Sequence, residues 1–288
     1  MTQLRNDTLA GLEWQAAMGA EDYILDAPQD RYAESAAPTA KAAPAPHPVP
    51  AAARPKPSLA PAPPPAPVAS LGAADAVAEA RRLAAACASL EELRAAVEGF
   101  EGCPLKRTAT TTVFGDGFPQ ADVMFIGEAP GRDEDRQGKP FVGVSGRMLD
   151  RMLGFINLDR TRFYITNSLY WWPPGNRTPT DGEVATCLPF LQRQIELVNP
   201  RLLVLVGGRA AKTFFATSQG ITRLRGSWRD YSHPGLAAAI PALAMFHPAY
   251  LLRSPEQKRL AWRDILALRA RMAESGILPP SLPPRSPG

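Results

Sequence analysis

Short apolar runs alternate along the chain with longer segments in which apolar residues recur every three or four positions. The short runs cover residues 123–126, 163–166, 202–206 and 242–246, and each is bounded on at least one side by Gly, Pro, Asn or Asp. They are too short for helices and rich in β-favouring side chains. We therefore expect each run to be a strand.

The longer segments have the period of an α-helix. Residues 145–156, 181–198 and 256–273 each carry a stripe of apolar side chains on one face. Residues 73–98 are strong helix formers, and Ser89 and Glu92 have the spacing of a capping box, which predicts two consecutive helices there.

Strands that alternate with helices predict a parallel sheet with helices on both faces. The expected fold class is α/β, with three layers (α/β/α) around a central, mostly parallel four-stranded sheet. Ligands of such sheets bind at the carboxyl ends of the strands. Three of these ends read GEAPG, NSLYWWPPGNR and HPAYLLR, so a site is expected at this edge.

Composition defines the domain organisation. The chain has 288 residues and 31 prolines, and residues 36–71 are almost wholly Ala and Pro, which cannot form a packed core. We expect a short helix and a disordered linker over residues 1–71. One folded domain should follow over residues 72–275, and a disordered Pro-rich tail over residues 276–288.

Charge and cysteine content indicate the setting. The net charge of +4 permits contact with a polyanion without requiring it. Three cysteines, an odd number, favour a reduced compartment over a disulfide framework. The first residues carry no signal pattern, and no apolar run approaches membrane-spanning length. We therefore expect a cytoplasmic protein that does not contact a membrane.

The loop of residues 127–143, GEAPGRDEDRQGKPFVG, directly follows the first predicted strand. A Gly-rich turn can hold phosphate, but this loop lacks a Lys-Ser/Thr pair and is rich in acids, which disfavours a phosphate site. Asp133, Glu134 and Asp135 are either metal ligands or, as is commoner for consecutive loop carboxylates, solvated. Phe141 either packs in the core or offers a stacking face to a flat ring.

Asn167 and His247 directly follow two other predicted strands. An asparagine offers a donor and an acceptor together, which matches the amide edge of a pyrimidine; the alternative is an ordinary turn residue. His247 is either structural or part of a site at the same sheet edge. A slot for a flat, polar ring is one hypothesis that uses both residues together with Phe141.

The segments GEAPGRDEDRQGKPFVG, YITN with PPGNRTPT, and HPAYLLRSP occur in this order, each at a predicted strand end. Together they resemble the motifs of the family-4 branch of the uracil-DNA glycosylase superfamily, over residues 100–272. The resemblance implies an enzyme, a monofunctional DNA N-glycosylase that flips deoxyuridine out of DNA and hydrolyses its N-glycosidic bond. Its products are free uracil and an abasic site for base-excision repair.

The resemblance also implies which residues act in catalysis. His247 corresponds to the donor aimed at uracil O2, where charge develops. Glu128 corresponds to a carboxylate that positions the water or supports the sugar cation, and Asn176 to a second asparagine near the site. Other branches carry an aspartate base where Ala129 stands, so the resemblance leaves the general base open.

Further residues correspond to the pocket and the DNA surface. Phe141 is implied to stack on uracil, and Asn167 to pair with its polar edge. The residues implied to form the pocket with them are Gly127, Ala129, Pro130 and Gly131, with Val142 and Gly143 behind the ring. Leu251, Leu252 and Arg253 correspond to the loop that enters DNA as the base leaves.

One departure concerns the iron–sulfur cluster that typical family-4 members hold with four cysteines. Cys103 and Cys187 match two ligands, but Phe100 and Trp171 stand where the first and third are expected. Cys87 lies too far upstream to be a substitute. We predict that the 4Fe-4S cluster is lost, that the two aromatic residues form an apolar plug, and that no metal or organic cofactor is needed.

Two other functions stay open. The chain could bind uracil-containing DNA without turnover, although the loop PPGNRTPTDGE lacks the histidine through which one relative forms a covalent adduct. It could also be an accessory module of a DNA polymerase. The expected partners are uracil-containing DNA, single- or double-stranded, and a repair partner at the N-terminal tail. We expect a monomer, and no lyase step because no motif places a lysine at the pocket.

Overall fold

The computed structural model describes residues 72–277. The expected N-terminal helix and linker over residues 1–71, and all but the first residues of the expected tail, lie outside this range. The predictions made for them are therefore not addressed by the structure.

Within residues 72–277, six strands form one sheet in the order β1-β3-β2-β4-β6-β5. The strands are β1 (Asp116–Gly117), β2 (Val123–Gly127), β3 (Phe163–Asn167), β4 (Leu202–Val206), β5 (Trp228–Tyr231) and β6 (Ile240–Met245). The four inner strands run parallel, as predicted. The edge strands β1 and β5 pair antiparallel, so the prediction of four strands was two short.

The missed strands lack a local apolar signal. β1 has only two residues, and β5 reads WRDY with only Tyr231 buried. Edge strands bury less surface and carry more polar side chains than central ones. Their pairing therefore depends on the neighbouring strands rather than on their own sequence.

Helices of the described range precede the first strand, separate successive inner strands along the chain and follow the last strand. They are α1 (Ala73–Ala86), α2 (Leu90–Gly99), α3 (Arg132–Gln137), α4 (Val144–Gly154), α5 (Asp181–Val198), α6 (Gly208–Phe214), α7 (Ile221–Leu224), α8 (Pro248–Arg253) and α9 (Lys258–Glu274). Short 3₁₀ turns cover Pro104–Arg107, Pro174–Asn176 and Pro255–Gln257. Among residues 72–277, no helix combines the length and apolarity that crossing a bilayer requires.

The predicted helix starts are visible in the backbone. Ser89 Oγ accepts a hydrogen bond from the N–H of Glu92 at 3.2 Å and so caps α2, while the Glu92 carboxylate accepts from the N–H of Ala88 at 2.6 Å. The reciprocal bond of the predicted capping box is thus shifted by one residue. Helix α5 has a complete capping box between Thr180 and Glu183.

Alternate side chains of each inner strand enter different cores, which gives the predicted three layers. Val123 and Phe125 of β2 pack in a cluster with residues of α4 and α9. Met124 and Ile126 of the same strand pack in a cluster with residues of α5 and α6. A third cluster joins α1 and α2 to the end of β3 and to α5.

Candidate active site

A cavity of about 700 Å³ lies at the carboxyl ends of β2, β3 and β6. It is the edge at which a parallel sheet is expected to bind its ligand. The predicted site residues that line this cavity are Glu128, Ala129, Pro130, Gly131, Phe141, Gly143, Asn167, Asn176, His247 and Arg253. Segments far apart in the sequence therefore meet in one cavity.

The end of β2 brings the predicted stacking ring and the predicted amide together. A methyl group placed on Gly127 would lie 2.3 Å from Asn167 Oδ1 and 2.6 Å from Phe141 Cζ. Both side chains therefore rest against the bare Cα of Gly127, and both are buried. Gly127 does not line the cavity itself but allows these two groups to converge.

The Phe141 ring also lies beside the imidazole of His247. Their ring centroids are 5.8 Å apart, and the ring planes are inclined by 31°. The cavity thus combines an aromatic face, an amide and an imidazole around one space. This set can hold a flat ring that carries hydrogen-bonding groups on its edge.

His247 is fixed by the first turn of α8. It is the N-cap residue, and the following Pro248 favours the extended backbone seen there, with φ −70° and ψ 135°. The imidazole Nδ1 accepts a hydrogen bond from the N–H of Ala249 at 3.1 Å. In the neutral ring the proton must then reside on Nε2, which makes Nε2 a donor.

The environment of His247 keeps its imidazole neutral. Burial, with a smaller contribution from the positive charge of Arg253, lowers the pKa of His247 to about 4 from its ordinary 6.5. At neutral pH the ring is therefore a neutral hydrogen-bond donor rather than a cation.

Glu128 lies on the cavity wall with a raised proton affinity. Burial raises the pKa of its carboxyl above the ordinary value, and the positive charge of Arg209 partly offsets this effect. Arg209 in turn donates to the carbonyl of Pro179 and to Asp181. No motif pointed to Arg209, because it lies in the first turn of helix α6 and approaches Glu128 only in the folded chain.

Two of the three acidic residues that follow the loop's first turn, Glu134 and Asp135, have a structural role. Glu134 accepts hydrogen bonds from the N–H groups of Gly131, Val142 and Gly143 at 3.0, 2.9 and 2.8 Å. Asp135 accepts from the N–H groups of Thr110 and Thr111 at 2.9 and 3.2 Å. Both acids are buried. The prediction that these carboxylates are solvated was therefore wrong for Glu134 and Asp135, since they bind backbone donors.

Asn176 lies at the exposed rim of the cavity. Its Oδ1 accepts a hydrogen bond from Trp172 Nε1 at 2.7 Å, and its backbone adopts the left-handed conformation, with φ 55°. Beside it, Arg177 pairs with Glu183, with one Nη–Oε distance of 2.9 Å. The structure brings Asn176 to the cavity, while a catalytic role for it stays a prediction.

The three residues predicted to contact DNA separate on helix α8. Leu251 is fully buried in the core, whereas Leu252 is 43% exposed and Arg253 lines the cavity. The assignment of Leu251 to the DNA surface is therefore corrected, because consecutive residues of a helix point in directions about 100° apart. Leu252 and Arg253 are placed where they could reach DNA, and their contact with DNA stays a prediction.

Gly207 is a further residue that the sequence analysis missed. It joins β4 to α6 with a left-handed backbone, φ 105°, and a methyl group on it would lie 3.2 Å from His247 Cβ. Glycine suits both the conformation and the close approach. Its place directly after a predicted strand is a signal that could have identified it.

Two of the four positions expected for ligands of the iron–sulfur cluster carry aromatic side chains, Phe100 and Trp171. Phe100 packs edge-to-face on Phe190 at 5.1 Å between centroids, and Trp171 Nε1 donates to Thr112 Oγ1 at 3.1 Å. Phe100 and Trp171 share one core cluster with Cys103 and Cys187, as the predicted plug requires.

These residues do not fit a four-cysteine cluster. Cys103 and Cys187 supply two thiols, and the thiol of Cys87 donates to the carbonyl of Leu83 at 3.2 Å within α1 and the turn that follows. Within residues 72–277, no group of three or more His, Cys, Asp or Glu side chains is arranged to hold a metal ion.

The fold and the cavity together define an α/β protein whose cavity, at the carboxyl edge of its parallel strands, has the side chains to hold a flat, polar ring. The family model of the uracil DNA glycosylase superfamily matches residues 114–266. The chain belongs to this superfamily, as the sequence motifs indicated. Membership makes it a DNA glycosylase, which is a hydrolase.

Similar proteins include several that are named type-4 uracil-DNA glycosylase. The one from Sulfurisphaera tokodaii is 34% identical over 186 residues, which cover 63% of this chain and 84% of the relative. The one from Archaeoglobus fulgidus is 38% identical over 172 residues, 58% of this chain and 85% of the relative. The one from Thermotoga maritima is 38% identical over 177 residues, which cover 60% of this chain and 90% of the relative.

Proposed function

We propose that the protein is a monofunctional uracil-DNA glycosylase that flips deoxyuridine out of DNA and releases uracil. The observation that carries the proposal is the convergence of Phe141, Asn167 and His247 on one cavity, in a chain of this superfamily. Flipping is needed because the glycosidic bond is out of reach within stacked DNA. The product is an abasic site, the starting point of base-excision repair.

The bound uracil lies on the Phe141 ring with its polar edge at the Asn167 amide. The amide offers one donor and one acceptor, which match a uracil carbonyl and its ring N–H. Gly127 supports this pose because its bare Cα lets both side chains approach each other. Ala129, Pro130 and Gly131 complete the wall of the pocket.

His247 assists the departure of the base. As the N-glycosidic bond breaks, its electron pair moves to uracil, and negative charge develops on O2. The neutral imidazole donates its Nε2 hydrogen to this oxygen, since Nδ1 is occupied by the N–H of Ala249. A preorganised donor of this kind lowers the barrier without any change in protonation of the ring.

Glu128 acts on the sugar side of the reaction. The sugar gains oxocarbenium character, and a water must attack its C1′ to complete the hydrolysis. The Glu128 carboxylate stabilises the cation or orients this water, and both roles require the ionised form. Asn176 at the rim contributes to the same region.

Exposed side chains around the opening of the cavity bind the DNA. Leu252 fills the space left in the helix by the flipped nucleotide, and Arg253 binds a neighbouring phosphate. The residues lining the cavity include no lysine among those described, which supports a hydrolytic enzyme without a lyase step. Binding one flipped base requires one copy of the chain, so we propose a monomer.

The proposed enzyme works without an iron–sulfur cluster. Phe100 and Trp171 stand at two expected ligand positions and pack in one core cluster with Cys103 and Cys187, which supply two of the four thiols that such a cluster needs. The core in this region is then stabilised by aromatic burial instead of metal ligation. None of the steps above involves a metal ion.

The function is tested with oligonucleotides that contain one uracil, single-stranded or paired with guanine. The protein is incubated with them, the abasic sites are cleaved with alkali, and released uracil is measured. We expect cleavage at uracil by the wild type, little by Glu128→Ala or His247→Ala, and full cleavage by the matched control His233→Ala. Stoichiometric retention of the DNA without released uracil would instead indicate a binding protein.

A further inference from the structure

The backbone of Phe141 has an unusual conformation for a bulky residue. Its φ is 55°, in the left-handed region that aromatic side chains rarely adopt. Such a conformation persists only where surrounding groups fix it. Other groups must therefore hold the residue that carries the proposed stacking ring.

Arg160 supplies this support from the turn before β3. Its Nη1 donates to the carbonyl of Pro140 at 2.9 Å, and its Nη2 donates to the carbonyl of Phe141. One guanidinium thus binds two consecutive carbonyl groups, one on each side of the Phe141 N–Cα bond. This is the segment whose φ is strained.

Two carboxylates hold the guanidinium itself in place. Arg160 Nη1 donates to Asp116 Oδ2 at 2.8 Å, and Nε donates to Asp150 Oδ1 at 3.1 Å. Asp116 belongs to the edge strand β1 and Asp150 to α4. The side chain of Arg160 is 23% exposed, so these bonds are partly shielded from water.

The other side of the loop is fixed by separate contacts. Glu134 binds the N–H groups of Val142 and Gly143, directly after Phe141. A methyl group on Gly146 would lie 1.8 Å from the Phe141 carbonyl oxygen, so this oxygen rests against bare helix backbone. The hydrogen bonds from Arg160 then fix the orientation of the Phe141 carbonyl and of the preceding Pro140 carbonyl.

We propose that Arg160 is a positioning residue for base binding: it holds Phe141 in the backbone conformation that presents its ring to the flipped uracil. This inference rests on the proposed function and adds a residue to which no strand-end motif pointed. Arg160 does not line the cavity and acts only through Phe141.

The first test compares Arg160→Met with Arg160→Lys in the uracil-release assay. For Arg160→Met we expect kcat/KM to fall by about 10- to 100-fold, because small displacements of a positioned group are costly. Free uracil should also inhibit this variant more weakly than the wild type. Arg160→Lys should recover only part of the activity, since one ammonium cannot replace a planar guanidinium that binds two carbonyl groups and two carboxylates.

Arg193→Met is the matched control. Arg193 also donates to a backbone carbonyl, that of Cys87 at 2.7 Å, and to a carboxylate, that of Glu196 at 2.6 Å. Its side chain is 29% exposed, similar to Arg160, and it does not line the cavity. We expect a comparable loss of thermal stability from both variants but an unchanged kcat/KM for Arg193→Met.

A double-mutant cycle with Phe141→Ala separates positioning from general stability. If Arg160 acts through the ring, Arg160→Met lowers kcat/KM in the wild type but not further in Phe141→Ala. An equal loss in both backgrounds, or wild-type activity in folded Arg160→Met, would overturn the inference. A wild type that releases no uracil would overturn the proposed function itself, which is a distinguishable result.

Discussion

At the residue scale, the central feature is a histidine, His247, whose ring is neutral and carries its proton on Nε2. The N–H of Ala249 occupies Nδ1 of His247, and burial disfavours the charged ring. In the proposed mechanism this neutral ring stabilises the departing uracil by a hydrogen bond and transfers no proton to it. The consequence is a defined response of the protein to pH.

The titration of His247 gives the first prediction. Its pKa is about 4 in the folded protein and 6.5 when unperturbed, so between these values the unfolded chain binds the extra proton. The free energy of unfolding should therefore fall by about 3 kcal/mol as the pH decreases from 6.5 through 4. Denaturant unfolding of the wild type and His247→Gln at several pH values measures this difference.

The difference in stability between the wild type and His247→Gln should change with pH only between about 4 and 6.5. Well above pH 6.5 the His247 ring of the wild type is neutral in both the folded and the unfolded state, so the difference in stability between wild type and His247→Gln should be constant. A difference that changes mainly above pH 7 would contradict a lowered pKa for His247. The pH dependence of the catalytic rate should show no titration of His247 near pH 6.5, because this ring is already neutral there in the folded protein.

At the element scale, the strand ends decide which groups meet. The carboxyl ends of β2, β3 and β6 share one edge, so the meeting of Phe141, Asn167 and His247 in one cavity could be predicted from the alternation of strands and helices. The β2 end must also be free of a side chain, because Phe141 and Asn167 close over it.

Gly127→Ala tests this requirement. The added methyl would lie 2.3 Å from Asn167 Oδ1 and 2.6 Å from Phe141 Cζ, so one of the two groups must move. We expect a loss of about 1–3 kcal/mol in stability from overpacking and a fall in kcat/KM of about 100-fold from the misplaced group. Gly154→Ala is the matched control, since its methyl would meet no atom within 4 Å.

Helix α8 gives a second prediction at this scale. Leu251→Ala should lower the free energy of unfolding by about 2–5 kcal/mol, because it empties a fully buried site. Leu252→Ala should change stability by no more than about 0.5 kcal/mol, yet lower cleavage of double-stranded more than single-stranded substrate. Equal effects of the two substitutions on stability would contradict the described orientation of the helix.

Several features of these elements could not be read from the sequence. Leu251 and Leu252 are identical neighbours, and only the packing of α8 on the core distinguishes them. Glu134 is buried because it binds N–H groups of Val142 and Gly143. The role of Arg160 also depends on contacts between distant segments.

At the scale of the whole molecule, the third core cluster contains aromatic side chains at two positions where metal ligands were expected. Phe100 and Trp171 stand where two thiolate ligands were expected and are almost fully buried. The two aromatic residues could be identified from the sequence, because they stand at fixed positions within local motifs. The partners of these rings, such as Phe190, emerge only from the fold.

Phe100→Ala tests the contribution of this cluster. We expect a loss of about 3–5 kcal/mol in the free energy of unfolding, typical of a buried aromatic side chain. Phe118→Ala, at a ring that is 44% exposed, is the matched control and should change stability little. Elemental analysis of protein purified without oxygen should find no stoichiometric iron; four iron atoms per chain would contradict the proposed loss of the cluster.

The arrangement of the base in the cavity is the central claim, and a crystal structure of the protein with bound uracil tests it most directly. We expect the uracil ring stacked on Phe141, its polar edge hydrogen-bonded to the Asn167 amide, and its O2 within hydrogen-bonding distance of His247 Nε2. If uracil can enter the cavity but binds without contact to one of these three side chains, the proposed arrangement is wrong.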